Sequence, residues 1–327
     1  MLPLCRRQLV HKSKLLQTKY ITANYHIHNN IIKMSYKTET GTFETPFLHG
    51  QDGKKLKLFY QRWIPANPKP GFNMVLHHGI GEHCDRYGNV LGMLEGTGCT
   101  LYSYDARGHG RSEGKKGLAK DLGQFADDLT VFIDFVEKEH NVSKPILYGH
   151  SMGGAVVLEF VGRSQANQDK IKAVIATAPA LGVEKNCYQT VMSSLLACLR
   201  KIIPSVTLPS GVETHKLSRD TNVTEAFKND PMTHDMISVS LAFSFLEDGP
   251  SNTIPSAQRM TLPVYLAHGD KDVITDPKGT QQYYELCASK DKTFNLYPNL
   301  QHEIHNELKE DKEKVLADLK AFILNQM

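Results

Sequence analysis

Cysteine is scarce and scattered. The six thiols, Cys5, Cys84, Cys99, Cys187, Cys198 and Cys287, form no C-x-x-C pair and no disulfide-like spacing. That excludes a disulfide-stapled scaffold and a cysteine-built zinc site, and reads as free thiols in a reducing compartment. No uninterrupted apolar run approaches the ~20 residues that cross a bilayer as a helix. Tryptophan occurs once, at Trp63. Acidic residues are missing altogether before Glu39, while Arg6, Arg7, Lys12, Lys14, Lys19, Lys33 and Lys37 stand in that stretch. Six of the 38 basic residues precede Met34, so from there onward 32 basic face 35 acidic residues. The net charge of +3 therefore belongs to the leader. The body is mildly acidic and shows no footprint for nucleic acid.

Residues 1–41 read as a basic leader ahead of a domain over 42–327. The leader has three readings. It is acid-free and weakly periodic (Leu4, Leu9, Leu15, Leu16, Tyr20), as a mitochondrial presequence is. It also reads as a basic arm attracted to anionic lipid, or as the product of an upstream start codon with Met34 as the working initiator. A secretory signal does not fit, because no continuous apolar core is present.

At 327 residues, 40% hydrophobic and 22% charged, the chain can bury a full core. Phe47–His49 and Leu56–Trp63 read as an opening hairpin with Asp52-Gly53 in its turn. Short apolar strands follow at 74–77, 100–104, 146–148, 171–176, 262–267 and 293–297. Residues 122–136 carry Leu122, Phe125, Ala126, Leu129, Phe132, Ile133 and Val136 at helical spacing, and a last helix carries Val315, Leu319, Phe322 and Ile323. This alternation predicts a mostly parallel sheet with helices on both faces. Ligands of such sheets bind beyond the carboxyl ends of the strands. About 80 residues separate the strand ending near Thr177 from the one at Leu262, far beyond an ordinary crossover. A cap inserted over about 180–258 accounts for them. Within it Val191, Met192, Leu195, Leu196, Leu199, Ile202 and Ile203 recur at helical spacing. They suit a helix packed on the body, an apolar lip touching lipid, or both.

The most informative stretch is Gly149-His150-Ser151-Met152-Gly153-Gly154, set between a strand and the apolar run 155–158. A serine hydroxyl is a weak nucleophile unless it is lifted from the backbone and placed beside a base. The G-x-S-x-G turn does this, with glycines that let strand and helix approach each other. The base and its carboxylate should then follow in the order acid, histidine. After strand 262–267 stands Gly269-Asp270-Lys271-Asp272, with Asp272 favoured and Asp270 the alternative, while Asp276 suits a helix cap ahead of Pro277. After the last strand His302 is favoured as base, with His305 as rival. Two backbone N–H groups should hold a developing oxyanion. Met152, after the nucleophile, and Ile80, in His77-His78-Gly79-Ile80-Gly81, are placed to supply them.

These residues bring a resemblance into view. His78-Gly79-Ile80-Gly81-Glu82-His83 with Arg86-Tyr87, the run Asp105 to Ser112, the elbow, Gly269 to Asp272 and the region of His302 resemble the monoglyceride lipases of the α/β-hydrolase superfamily over about residues 42–326. The resemblance implies hydrolysis of monoacylglycerol to glycerol and fatty acid without cofactor or metal. It implies Ser151, Asp272 and His302 as the triad, Ile80 and Met152 as oxyanion donors, and Glu82, Arg86 and His305 near the glycerol end. Glu82 and Arg86 are also suited to pair with each other and fix their loop, and Asp105 and Arg107 to order theirs. A cytoplasmic protein, peripheral on lipid droplets or membranes, is the matching expectation, or a mitochondrial one if the leader is a presequence. Lysophospholipase, broad carboxylesterase or acyltransferase activity are the alternatives within the fold. A non-catalytic lipid-binding module would be expected to carry a broken triad.

Overall fold

The structure, a computed structural model, describes residues 18–19, 23–27, 30–34, 36–49, 54–182 and 187–327. The turn at Asp52-Gly53 and most of the leader lie outside them. The central sheet runs in the order Tyr36–His49, Lys54–Pro65, Thr100–Tyr104, Asn73–His77, Ile146–His150, Ala173–Thr177, Val264–Gly269, Lys292–Tyr297, with Thr18–Lys19 added at the outer edge of the first strand. Tyr36–His49, Lys54–Pro65 and Thr100–Tyr104 pair antiparallel, and every later pairing is parallel. The ladder opens at Tyr36, paired with Pro65, six residues ahead of Thr42.

Alternate residues of the parallel strands feed two cores. Val75, Leu147, Val174 and Leu266 pack under helices Leu122–His140 and Met152–Arg163. Met74, Leu76, Ile146, Tyr148, Ile175 and Tyr265 pack under helix Lys309–Asn325 and the short helix Gly88–Met93. Burial on both faces is why these strands read as continuous apolar runs.

Helix Leu122–His140 buries the seven residues of the predicted stripe. It runs one polar turn beyond Val136, between an Asp121 cap accepting from Gln124 N and a left-handed Asn141. Asp276 caps helix Pro277–Leu286 by accepting from Lys278 N at 2.9 Å. Between Ala173–Thr177 and Val264–Gly269 the chain leaves the sheet. It forms helix Cys187–Ile202, the ribbon Thr207–Pro209 with Met236–Ser238, helix Thr221–Asn229 and a run of short helices up to Arg259. In helix Cys187–Ile202 Leu196 is buried, whereas Val191, Leu195 and Ile202 are exposed, Ile202 by 77%. One face therefore packs inward and the other meets solvent. Cys84, Cys99, Cys198 and Cys287 are free thiols.

Candidate active site

Strand Ile146–His150 delivers Ser151 to the carboxyl edge of the sheet, and helix Met152–Arg163 starts at the next residue. Ser151 takes φ 56° and ψ −120°, a region strained for any residue with a Cβ. Close packing forces the turn. A Cβ on Gly149 would stand 2.2 Å from the Gly153 carbonyl oxygen, and one on Gly153 2.1 Å from that of His77. The backbone pins the apex from both sides. Ser151 N donates to Thr177 O at 3.0 Å, and its carbonyl accepts from Ala155 and Ala180 N at 3.1 and 3.0 Å.

Two strands away Asp272 follows Val264–Gly269, and three strands away His302 follows Lys292–Tyr297. His302 Nδ1 lies 2.7 Å from Asp272 Oδ2, which leaves Nε2 as the nitrogen available to a nucleophile. Asp272 Oδ1 accepts from the N–H of Ile274 and Thr275 at 2.8 and 3.1 Å. Burial alone would raise the Asp272 carboxyl, but the charge of His302 and the hydrogen bond from His268 hold it well below the usual range. Burial would likewise lower His302, and here the Asp272 charge and hydrogen bond outweigh it and raise the ring above ordinary imidazole. Asp270 instead turns outward and accepts from Asn299 N. Ser151 and His302 line one cavity. Among the described residues no hydrogen bond joins the hydroxyl to the ring; such bonds are often long in resting enzymes and tighten with substrate.

The loop after Asn73–His77 closes on the serine. Gly79 lies so near that a Cβ there would stand 3.3 Å from Ser151 Cβ and 2.7 Å from Glu82 Oε1. His78 braces the turn, with Nδ1 2.6 Å from Gly79 O and Nε2 accepting from Ala106 N at 2.9 Å. Ile80 N–H has no hydrogen-bond partner among the described residues. Met152 N–H heads its helix, where the first amide groups lack intrahelical acceptors and the dipole favours negative charge.

Glu82 and Arg86 meet in a buried network. Glu82 accepts from Gly79 N (2.6 Å), from Tyr87 OH (2.7 Å) and from Arg86. The Arg86 guanidinium also grips Glu303 with two bonds, at 2.9 and 3.0 Å. Burial opposes the charge on Glu303, but Arg86 prevails and lowers its carboxyl. His305 stacks on Tyr87 with centroids 5.2 Å apart and meets His150 edge-on at 4.7 Å. Burial pushes it down to about 4. Glu82 and Arg86 line the cavity; His305 lies one layer behind it. Asp105 accepts from the backbone N–H groups of Cys84 and Arg111 at 3.0 and 2.9 Å, and Arg107 is buried against Asp128 at 2.6 Å. Both order loops.

The cap supplies the roof, with Val212, Leu217, Phe227 and Met236 over the site and Ile274 at its side. Segment 227–236 is clamped to the loop after Asn73–His77. His234 N donates to Gly81 O at 2.9 Å, His83 Nε2 meets Asp230 at 2.9 Å, and the Phe227 ring lies 4.7 Å from the Arg86 guanidinium. The enclosed space is about 60 Å³, far below the roughly 300–1,000 Å³ of small-molecule pockets. Among the described residues no cluster of three or more His, Cys, Asp or Glu side chains is arranged to hold a metal.

Several site residues carry no local sequence signal. Glu303 is recognisable only as the acid next to His302. His268 and Thr275, both on Asp272, reach it through the strand end and the turn after it.

A nucleophile elbow on a mostly parallel sheet, with an acid–histidine pair at later strand ends, defines a serine hydrolase of the α/β-hydrolase fold. The family described as serine aminopeptidase, S33 (Hydrolase_4), matches residues 68–309, and the chain belongs to it. It is 30% identical to a monoacylglycerol lipase of Mycolicibacterium smegmatis over 274 residues, 83% of this chain and 94% of the relative. It is 27% identical to the monoglyceride lipase of Rattus norvegicus over 285 residues, 87% and 91% of the two chains. The crystal structure of the Paleococcus ferrophilus monoacylglycerol lipase superposes with a TM-score of 0.73 at 30% identity, covering 83% of this chain and 99% of that one.

Proposed function

We propose that this protein hydrolyses monoacylglycerol to glycerol and a free fatty acid through an acyl-enzyme on Ser151. The observation that carries the reading is the buried Asp272–His302 pair, 2.7 Å apart, opening onto the same cavity as the strained elbow serine. Ser151 Oγ attacks the ester carbonyl while His302 Nε2 takes its proton. Asp272 steadies the imidazolium, and the tetrahedral oxyanion is held by Ile80 and Met152 N–H. The glycerol oxygen leaves with the proton from His302. Water then attacks the acyl-enzyme with His302 as base, releasing fatty acid and restoring the serine.

The polar network of Glu82, Arg86 and Glu303 suits the glycerol end. Arg86 is spent on two carboxylates, so its part there is to fix Glu82 and the loop, and His305 backs it from behind. The domain over 42–327 carries this chemistry. The exposed cap residues Val191, Leu195 and Ile202, with Ile203, Val206 and Leu208 beyond them, form the face that meets a lipid droplet or membrane, since exposed apolar patches mark such contacts. No described helix is long and apolar enough to cross a membrane. The basic leader, as presequence or lipid-seeking arm, adds a second address.

The test is carboxylic-acid release by the purified chain from monoacylglycerols of graded length, lysophosphatidylcholine and short p-nitrophenyl esters, with Ser151→Ala as control. Turnover of monoacylglycerol above the other substrates, lost in the variant, is expected. Preference for lysophosphatidylcholine would overturn the substrate assignment.

A further inference from the structure

His268 takes no part in the mechanism above, yet it sits on the carboxylate that the mechanism needs. It is the penultimate residue of strand Val264–Gly269 and fully buried. Its Nε2 lies 3.0 Å from Asp272 Oδ2, and its Nδ1 lies 2.8 Å from Thr280 Oγ1, itself buried on helix Pro277–Leu286. An ionised carboxylate only accepts hydrogen bonds, so Nε2 carries the proton. Nδ1 pairs with the Thr280 hydroxyl, so both ring nitrogens have a partner.

The geometry around Asp272 separates its two oxygens. Oδ1 is anchored by backbone N–H groups alone. Oδ2, the oxygen that receives His302 Nδ1, is held by side chains: His268 at 3.0 Å and the Thr275 hydroxyl at 2.8 Å. The position of Oδ2 sets the tautomer and tilt of the base. We propose that His268 is a positioning residue: an imidazole, fixed by Thr280, whose Nε2–H holds Asp272 Oδ2 in line with His302. The inference rests on the proposed triad and extends it by one residue behind the acid.

Two variants of the full chain separate positioning from packing. In His268→Gln the side-chain amide reaches the Nε2 position and can still donate to Asp272. In His268→Asn the shorter amide reaches only the Nδ1 position, so the bond to Thr280 survives and the one to Asp272 is lost. With a soluble ester, kcat is expected to fall about tenfold in His268→Asn, the order expected for one hydrogen bond to a charged group. KM should stay within about twofold, and His268→Gln should remain within about threefold of wild type. The acid limb of kcat/KM moves to higher pH in His268→Asn alone. With one donor fewer, the Asp272 carboxylate holds the proton on His302 more tightly. The other groups around His302, namely His150, Glu303, Glu82, Arg86 and His305, are unchanged. Equal losses in both variants that track a fall in Tm, or wild-type kcat in His268→Asn, would overturn the proposal. Labelling of Ser151 by a fluorophosphonate in the wild type keeps this test apart from the triad itself, because failure there refutes the triad and not the role of His268.

Discussion

At φ 56° and ψ −120°, Ser151 stores strain of roughly 1–3 kcal/mol, held by the hydrogen bonds and glycine contacts around the turn. Glycine populates positive φ readily, so Ser151→Gly should abolish turnover and raise stability by about 1 kcal/mol, read as a higher Tm or denaturant midpoint. Unchanged or lower stability would contradict the strain assignment. His302 must be neutral to take the serine proton, and Asp272 raises its pKa. The acid limb of kcat/KM is therefore expected at a pH above ordinary imidazole, about 6.5, with activity lost as pH falls through it. Asp272→Asn removes the charge. It should move that limb down and lower kcat on the order of 10⁴-fold, as measured with a soluble ester across pH. At this scale the sequence is readable wherever chemistry imposes spacing, as in the elbow and the acid–histidine order. It is silent on His268, Thr275 and Glu303, whose partners are chosen by strand register and turn shape.

Among the elements, the loop bearing Ile80 is held by charge. Arg86 is flanked by Glu82 and Glu303 in a buried setting, so Arg86→Ala leaves two carboxylates unpaired. It should destabilise the fold by about 3–5 kcal/mol, measurable by denaturant unfolding, and it should weaken turnover by loosening the oxyanion loop. A loss below about 1 kcal/mol would place the network in solvent. Helix Leu122–His140 was legible because its apolar positions recur every three to four residues, and its last turn was not because that turn is polar. The cap resisted reading for a different reason. Its pieces are short and lean on the body, as His234 does on Gly81 and Phe227 on Arg86, so local periodicity marks only helix Cys187–Ile202. The outward stripe of that helix is exposed to solvent. Glu in place of Val191, Leu195 and Ile202 together should reduce sedimentation with lipid vesicles while leaving hydrolysis of a soluble ester near wild type. Equal sedimentation would remove the cap from lipid contact.

Across the whole molecule, a mostly parallel sheet gathers residues more than 150 positions apart in the chain, from Ser151 to His302, at one edge. Strand–helix alternation predicted that gathering, since every candidate residue follows a strand's carboxyl end. The central claim is that Ser151, His302 and Asp272 act as one triad, His302 moving the proton while Asp272 stays ionised, and site-resolved labelling with a fluorophosphonate tests it most directly. Mass spectrometry of the labelled protein should find the adduct on Ser151, absent in Ser151→Ala and slowed on the order of 10³-fold or more in His302→Ala. An adduct on another residue, or labelling of Ser151 at an unchanged rate without the histidine, would contradict the account.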